Sequence, residues 1–91
     1  MSKIDIRRKH GKSMKAAKAA VDKTAAAIGQ KFGIQSEWDG DTLNFHRAGG
    51  SGRIHVTKAE VRVTAELGFF MSALKPMIET EIGRQLDENF G

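Results

Sequence analysis

Two hydrophobic periods follow one another in the first third of the chain. Residues 3–9 place two isoleucines on one side and charged side chains on the other, which is the pattern of a half-buried strand. From Ser13 onward, apolar residues recur every three or four positions as far as Phe32, and Gly33 follows them. This spacing predicts an amphipathic helix with Ser13 as its N-cap and Gly33 just past its C-terminus.

Short segments in which apolar and polar residues alternate fill the middle of the chain, with turn residues between them. These segments are 34–38, 43–45, 54–56 and 61–67. Alternation of this kind, broken by turns, is typical of an antiparallel meander with one face on a core and the other in water. We therefore expect four consecutive strands here.

Turn chemistry sets the expected pairing of these strands. Two-residue turns are predicted at Gly40-Asp41 and at Gly49-Gly50. Near Lys58-Ala59 the two-residue chemistry is poor, so a longer connection is the alternative. The predicted cross-strand pairs are Trp38 with Leu43, Phe45 with Ile54, Leu43 with Val56, and Val56 with Val61. All of them place apolar residues opposite apolar residues.

A second helical stripe runs from Phe70 to Phe90, bounded by Gly68 and Gly91. Pro76 lies inside it and has no amide hydrogen for the helical hydrogen-bond ladder. The helix must therefore kink at Pro76 or begin anew with Pro76 in its first turn. We favour a short turn followed by a longer helix.

The order β-α-β-β-β-β-α predicts the architecture. One apolar face per strand and two amphipathic helices call for an α+β two-layer sandwich, with both helices on one face of a five-stranded antiparallel sheet. If the first strand lies beside the last, the strand order is 1-5-4-3-2. This topology is similar to the TATA-binding-protein-like (TBP-like) and helix-grip folds, an analogy that says little about function.

Composition limits what this fold can be. With 91 residues, of which 40% are hydrophobic, the chain has material for a single domain spanning residues 1–91. Cysteine is absent, which excludes disulfides and thiolate metal sites and suits the cytoplasm. No apolar run approaches the ~20 residues that cross a bilayer, and the first residues lack a secretory h-region. We therefore expect neither export by that route nor a membrane span.

Charge is distributed unevenly along the chain. Residues 1–31 hold nine basic and two acidic side chains, whereas residues 32–91 hold six basic and nine acidic ones. The candidate basic patch comprises Arg7, Arg8, Lys9, Lys12 and Lys15. Such a patch could meet a polyanion, such as nucleic acid or a phospholipid surface. The predicted sheet offers no exposed aromatic row, which argues against nucleic acid.

A structural interpretation of the same charges competes with the functional one. Lysines near the start of the first helix oppose its macrodipole, as Asp87 and Glu88 do at the end of the last helix. Antiparallel helices would bring these two ends together. In that arrangement the unfavourable charges would offset one another across the helix pair.

Candidate catalytic chemistry is sparse. The predicted registers place His46 opposite Arg53 and His55 opposite Asn44, and two imidazoles beside arginines are too few for a metal site. The aspartates around Gly40 are typical of a turn. No obvious base partners the serines at positions 13, 36, 51 and 72. We interpret residues 49–52 as a flexible hairpin loop. The sequence thus predicts no catalytic residue, no metal ligand and no cofactor.

Residues 67–71 carry more apolar bulk than one helix face can bury. In one interpretation Phe70 and Met71 enter the core with Leu74, while Phe69 covers the edge of the sheet. In the other, Phe69 and its neighbours form an apolar surface for a polymer, lipid or protein partner. The candidate contact residues are Phe69, Phe70 and Met71.

Several segments together resemble the polyhydroxyalkanoic acid system family of bacterial storage-granule proteins. These segments are 3–10, 36–45, 67–69, 73–75 and 86–90. The resemblance spans almost the whole chain and implies a small bacterial protein of polyhydroxyalkanoate synthesis and storage, at the granule surface. No catalytic or binding residue is carried over from it.

Three functions of different classes are consistent with these observations. The leading hypothesis is a non-enzymatic accessory protein in the cytoplasm, bound to the polyhydroxyalkanoate granule surface or to a granule protein through Phe69, Phe70 and Met71. The alternative is a small carrier of acyl or lipid ligands, with a cavity between sheet and helices. A nucleic-acid-binding regulator acting through the basic patch is the third. The sequence does not indicate the oligomeric state.

Overall fold

The computed structural model describes residues 2–90, which form five strands and three helices. The elements are β1 (Ser2–Lys9), α1 (Met14–Phe32), β2 (Gln35–Asp39), β3 (Thr42–Arg47), β4 (Gly50–Val56), β5 (Glu60–Leu67), α2 (Phe69–Ser72) and α3 (Lys75–Phe90). The strands make one antiparallel sheet in the order β1-β5-β4-β3-β2. The predicted α+β class, its antiparallel sheet and its strand order are confirmed.

Helix α1 begins and ends as its sequence predicts. The Ser13 hydroxyl accepts a hydrogen bond from the Ala16 amide at 3.2 Å, which satisfies one of the unpaired amides of the first turn. Gly33 adopts the left-handed conformation with φ of 68°, and its amide bonds back to the Gly29 carbonyl. These caps fix the helix bounds to within a residue of the prediction.

The core lies between the helix layer and one face of the sheet, here called the inner face. Val21 and Ile28 of α1, Ile54 of β4 and Leu86 of α3 are among its buried members. Trp38 packs against this core from the inner face, and its indole nitrogen donates a hydrogen bond to Asp22 of α1 at 2.7 Å. The opposite face of the sheet, here called the outer face, carries polar and charged side chains.

The predicted register of β3 against β4 is wrong by two residues. Leu43 pairs with Ile54, and Phe45 with Gly52, because the turn is formed by Ala48 and Gly49. Gly49 takes a φ of 87° in this turn, a conformation that side chains rarely adopt. The shift of two residues leaves every side chain on its predicted face.

The structure also corrects the prediction for the residues that follow this turn. Gly50, Ser51 and Gly52 are not a flexible loop but the first part of β4, paired with β5. As a consequence Arg53 lies opposite Asn44, and neither of the two histidine pairings predicted between β3 and β4 occurs. Instead, His46 lies opposite Ser51, and His55 lies opposite Thr42.

Two further predictions on the second half of the sheet and the last helix are confirmed. Val56 pairs with Val61 across a longer connection, in which the Thr57 hydroxyl accepts the Glu60 amide hydrogen at 3.1 Å. A short turn, α2, precedes the longer α3, and Pro76 is the second residue of α3. Proline is tolerated there because first-turn amides have no partner within the helix.

The proposed compensation between charges at the two helix ends is wrong. Asp87 pairs with Arg8 of β1 at 3.0 Å, and Glu88 pairs with Arg84 of its own helix at 2.8 Å. The helices do run antiparallel, but the ion pair that links them joins Lys31 to Glu81. The lysines near the start of α1 are therefore not paired with the end of α3.

Candidate functional site

The most unusual surface feature is a pair of exposed aromatic side chains on α2. Phe69 is 87% exposed and Phe70 is 84% exposed. Their rings meet edge to face, with centroids 5.6 Å apart. This arrangement, here called the phenylalanine pair, forms one apolar projection at the end of β5.

Met71 anchors the turn that carries the phenylalanine pair. Its side chain is 4% exposed and belongs to the core, whereas the two preceding side chains point into solvent. The interpretation that put Phe70 in the core is therefore wrong. Of the three predicted contact residues, the structure brings Phe69 and Phe70 together on the surface and places Met71 beneath them.

The turn is held tightly against the β3–β4 hairpin. The Gly68 amide donates to the Gly49 carbonyl at 2.7 Å, and a Cβ at Gly68 would lie 2.8 Å from that same oxygen. At the other end of the turn, the Ser72 amide and hydroxyl both donate to the Gly68 carbonyl at 2.9 Å. Only glycine permits this approach, so the backbone fixes the direction of the phenylalanine pair.

Exposing two phenylalanines carries an energetic cost for the isolated chain. Full burial of one such side chain stabilises a fold by about 1.5–3 kcal/mol. Neither Phe69 nor Phe70 contributes this stabilisation to the isolated chain. Residues 67–74 also contain no charged side chain. Met77, in the first half of α3, is a further exposed apolar residue. Exposed, uncharged aromatic surface of this kind is a candidate contact site.

The residues of the predicted basic patch are divided between two surfaces. Arg7 and Lys9 follow the outer face of β1, whereas Arg8 points the other way and bonds to Asp87. Lys12 and Lys15 lie exposed around the start of α1. The strand alternation thus separates residues that are adjacent in sequence, and they do not form one cluster.

A small apolar cavity lies between the two layers. It has a volume of about 50 Å³, and its walls include Ile28, Phe45 and Ile82. Ligand pockets usually enclose roughly 300–1,000 Å³. The cavity therefore argues against the acyl-carrier hypothesis.

The buried carboxylate Glu81 was not singled out by sequence reasoning. It accepts hydrogen bonds from Arg84 at 2.6 Å, from Gln85 at 3.2 Å and from Lys31 at 3.2 Å. These bonds, with that from Arg84 foremost, lower the pKa of Glu81 from its usual 4.5 to about 2, against the opposing effect of desolvation. Arg84 and Gln85 follow Glu81 by three and four residues, a helical spacing from which their hydrogen bonds could have been predicted. The bond from Lys31 could not, because Lys31 is fifty positions away in the sequence.

This carboxylate is suited to structure and not to proton transfer. A general acid or base works best with a pKa near the operating pH, and Glu81 stays ionised far below neutrality. Across residues 2–90 no group of three or more His, Asp or Glu side chains is arranged to hold a metal ion. None of the helices within the same range is long and apolar enough to cross a membrane.

Comparison with known proteins relates this chain to a protein family. No curated protein and no solved structure is significantly similar to this chain. The likeness to TBP-like and helix-grip folds consequently stays a prediction. Residues 4–90 match the protein family described as "Putative polyhydroxyalkanoic acid system protein". With nearly its whole length covered by that match, the chain belongs to the polyhydroxyalkanoic acid system protein family.

Proposed function

We propose that this chain is a non-enzymatic accessory protein of bacterial polyhydroxyalkanoate storage, located in the cytoplasm on the storage granule. Attachment occurs through the phenylalanine pair, Phe69 and Phe70. The observation that carries the proposal is the exposure of both rings on a turn whose direction the backbone fixes. Family membership supports the cellular setting.

The chemistry of the pair suits an apolar polyester surface. Contact with such a surface would bury both rings and recover the stabilisation that the isolated chain forgoes. Residues 67–74 carry no charge, so docking them requires no desolvation of an ion. Met71 stays in the core and contributes by holding the turn in place. Polymer contact is therefore favoured over an electrostatic mode of attachment.

The absence of a partnered nucleophile or base in the sequence supports a non-enzymatic role. The strongly hydrogen-bonded acid, Glu81, is held ionised by three partners and joins α1 to α3. Its environment accounts for its charge without any substrate. An accessory protein needs only a stable scaffold and a contact surface, and both are present.

A binding experiment with bare polymer particles and purified granules tests this proposal. The purified protein is incubated with each, and the bound fraction is measured after sedimentation. We expect wild type to bind both. We expect the double substitution Phe69→Ser with Phe70→Ser to lower the affinity at least about tenfold, because each lost ring contact is worth about 1.5–3 kcal/mol.

A matched variant separates apolar contact from a general effect of mutation. The double substitution Phe69→Leu with Phe70→Leu keeps the apolar surface and should retain most of the binding. Equal binding by the serine and leucine variants would refute the proposed contact. Binding of wild type to protein-coated granules but not to bare polymer would refute direct polymer contact and indicate a granule protein as the partner.

A further inference from the structure

The outer face of the sheet contains a second candidate site, unconnected with the phenylalanine pair. It is an open groove of about 720 Å³ that runs across β1, β5, β4 and β3. This volume lies in the range of small-molecule sites, roughly 300–1,000 Å³. Polar and apolar surface line the groove in nearly equal parts, unlike the almost wholly apolar cavity on the inner face.

Four of the five charged side chains that line the groove neutralise one another. Arg62 donates two hydrogen bonds to Asp5, at 3.0 and 2.7 Å. These bonds hold the pKa of Asp5 below its usual value and that of Arg62 above its own. Lys3 lies 3.9 Å from Glu66. Both carboxylates of the groove are therefore occupied.

Arg53 supplies the remaining charge. It lines the groove from β4, and its side chain makes no hydrogen bond or ion pair with any residue from 2 to 90. Its cross-strand neighbours are Asn44 on β3 and Thr64 on β5. Ser51 and His55 flank it two positions away on the same strand, and Arg62 and Glu66, each already paired with another side chain, lie diagonally across from it on β5.

We propose that this groove binds a small organic monocarboxylate, whose two oxygens accept hydrogen bonds from the guanidinium of Arg53. One uncompensated positive charge matches a singly charged ligand. A planar guanidinium matches a planar carboxylate in a paired, two-bond geometry. The amide of Asn44 and the hydroxyls of Ser51 and Thr64 can bond to further polar atoms of the ligand.

Titration with butyrate, followed by amide chemical shifts in NMR, tests the proposal on the full chain. We expect saturable shifts centred on residues 44, 53 and 64, with a dissociation constant on the order of millimolar for so open a site. Butyramide has nearly the same shape without the charge and should not give them. Inorganic phosphate should bind more weakly than butyrate, because its second charge has no partner in the groove.

Two arginine variants provide the decisive comparison. Arg53→Gln should weaken butyrate binding at least about tenfold, since hydrogen bonds to charged groups are worth about 1.5–3 kcal/mol. Arg7→Gln removes the same charge from the outer face outside the groove and should change the affinity less than about twofold. Because the Arg53 side chain makes no hydrogen bond or ion pair within residues 2–90, its variant should nearly keep the wild-type melting temperature.

Each contrary result would overturn the proposal. The assignment fails if wild type gives no saturable shift, or if butyramide binds as well as butyrate. It also fails if phosphate binds more tightly than butyrate, or if both arginine variants weaken binding equally. None of these results bears on granule attachment, because the phenylalanine pair lies on α2 and not in the groove.

Discussion

Among individual side chains, Glu81 shows most clearly how burial and hydrogen bonding combine in this protein. Its side chain is 8% exposed, and three residues from two helices donate hydrogen bonds to its carboxylate. A carboxylate removed from water is tolerated when its oxygens are satisfied, and removal of the charge then leaves the donors without a partner. Glu81 therefore joins α1 to α3 through Lys31.

The lowered pKa of Glu81 gives stability a defined dependence on pH. Because the pKa of about 2 in the folded protein lies below the usual 4.5, the stabilisation is complete above pH 4.5 and is lost as pH falls toward 2. We expect Glu81→Gln to lower the melting temperature by several degrees at pH 6. The difference in melting temperature between wild type and this variant should be smaller at pH 3, because there wild type has lost part of the same stabilisation.

Glu79→Gln is the matched control for this prediction. Glu79 lies on the same helix and pairs with no side chain in residues 2–90. Its substitution should leave the melting temperature nearly unchanged at both pH values. A deficit for Glu81→Gln that is equally large at pH 6 and pH 3 would contradict the assigned role of its charge.

Of the helices and strands, the β3–β4 hairpin shows what the sequence could and could not determine. Alternation in both strands fixes which side chains face the core, and the structure confirms those faces. The register could not be fixed, because turns at 48–49 and at 49–50 both place apolar residues on the same face. The left-handed φ of Gly49 selects the first of these turns.

The same hairpin also positions α2, which gives a second prediction. Gly68→Ala would place a Cβ 2.8 Å from the Gly49 carbonyl, so the turn must shift away from the hairpin. Overpacking of this kind typically costs about 1–3 kcal/mol, measurable as a lower free energy of unfolding in urea. The shift should also reduce granule binding, because it redirects the phenylalanine pair.

Gly11→Ala is the appropriate comparison for Gly68→Ala. A Cβ at Gly11 would meet no atom within 4 Å, so this change should alter the free energy of unfolding little. If the two alanine variants were equally stable, the close contact between Gly68 and Gly49 would not be important for the fold.

For the molecule as a whole, the sequence was sufficient to predict the layers but not the surfaces. Periodicity predicts the helices, the strands and the helix-covered face, since each apolar stripe must be buried. The strand order followed only on the condition that the first strand lies beside the last, which the structure confirms. The excess of apolar residues at 67–71 indicated a contact region. It did not reveal that Met71 points inward while both phenylalanines point outward, because α2 is a single turn whose direction depends on Gly68 and Gly49.

The outer-face groove could not be predicted for a related reason. Its lining depends on cross-strand neighbours, and the correct neighbours of Arg53 follow only from the correct register. With the register shifted by two residues, Arg53 was expected opposite His46. Surfaces built across several strands are thus the least accessible part of this protein to sequence reasoning.

The central claim is that an outward-facing pair of aromatic rings attaches this protein to polyhydroxyalkanoate granules. Fluorescence microscopy of the tagged protein in granule-filled bacterial cells tests it most directly. Wild type and the double leucine variant should outline the granules, whereas the double serine variant should be diffuse at the same melting temperature. Granule outlines from the serine variant, or diffuse wild type among abundant granules, would contradict the account.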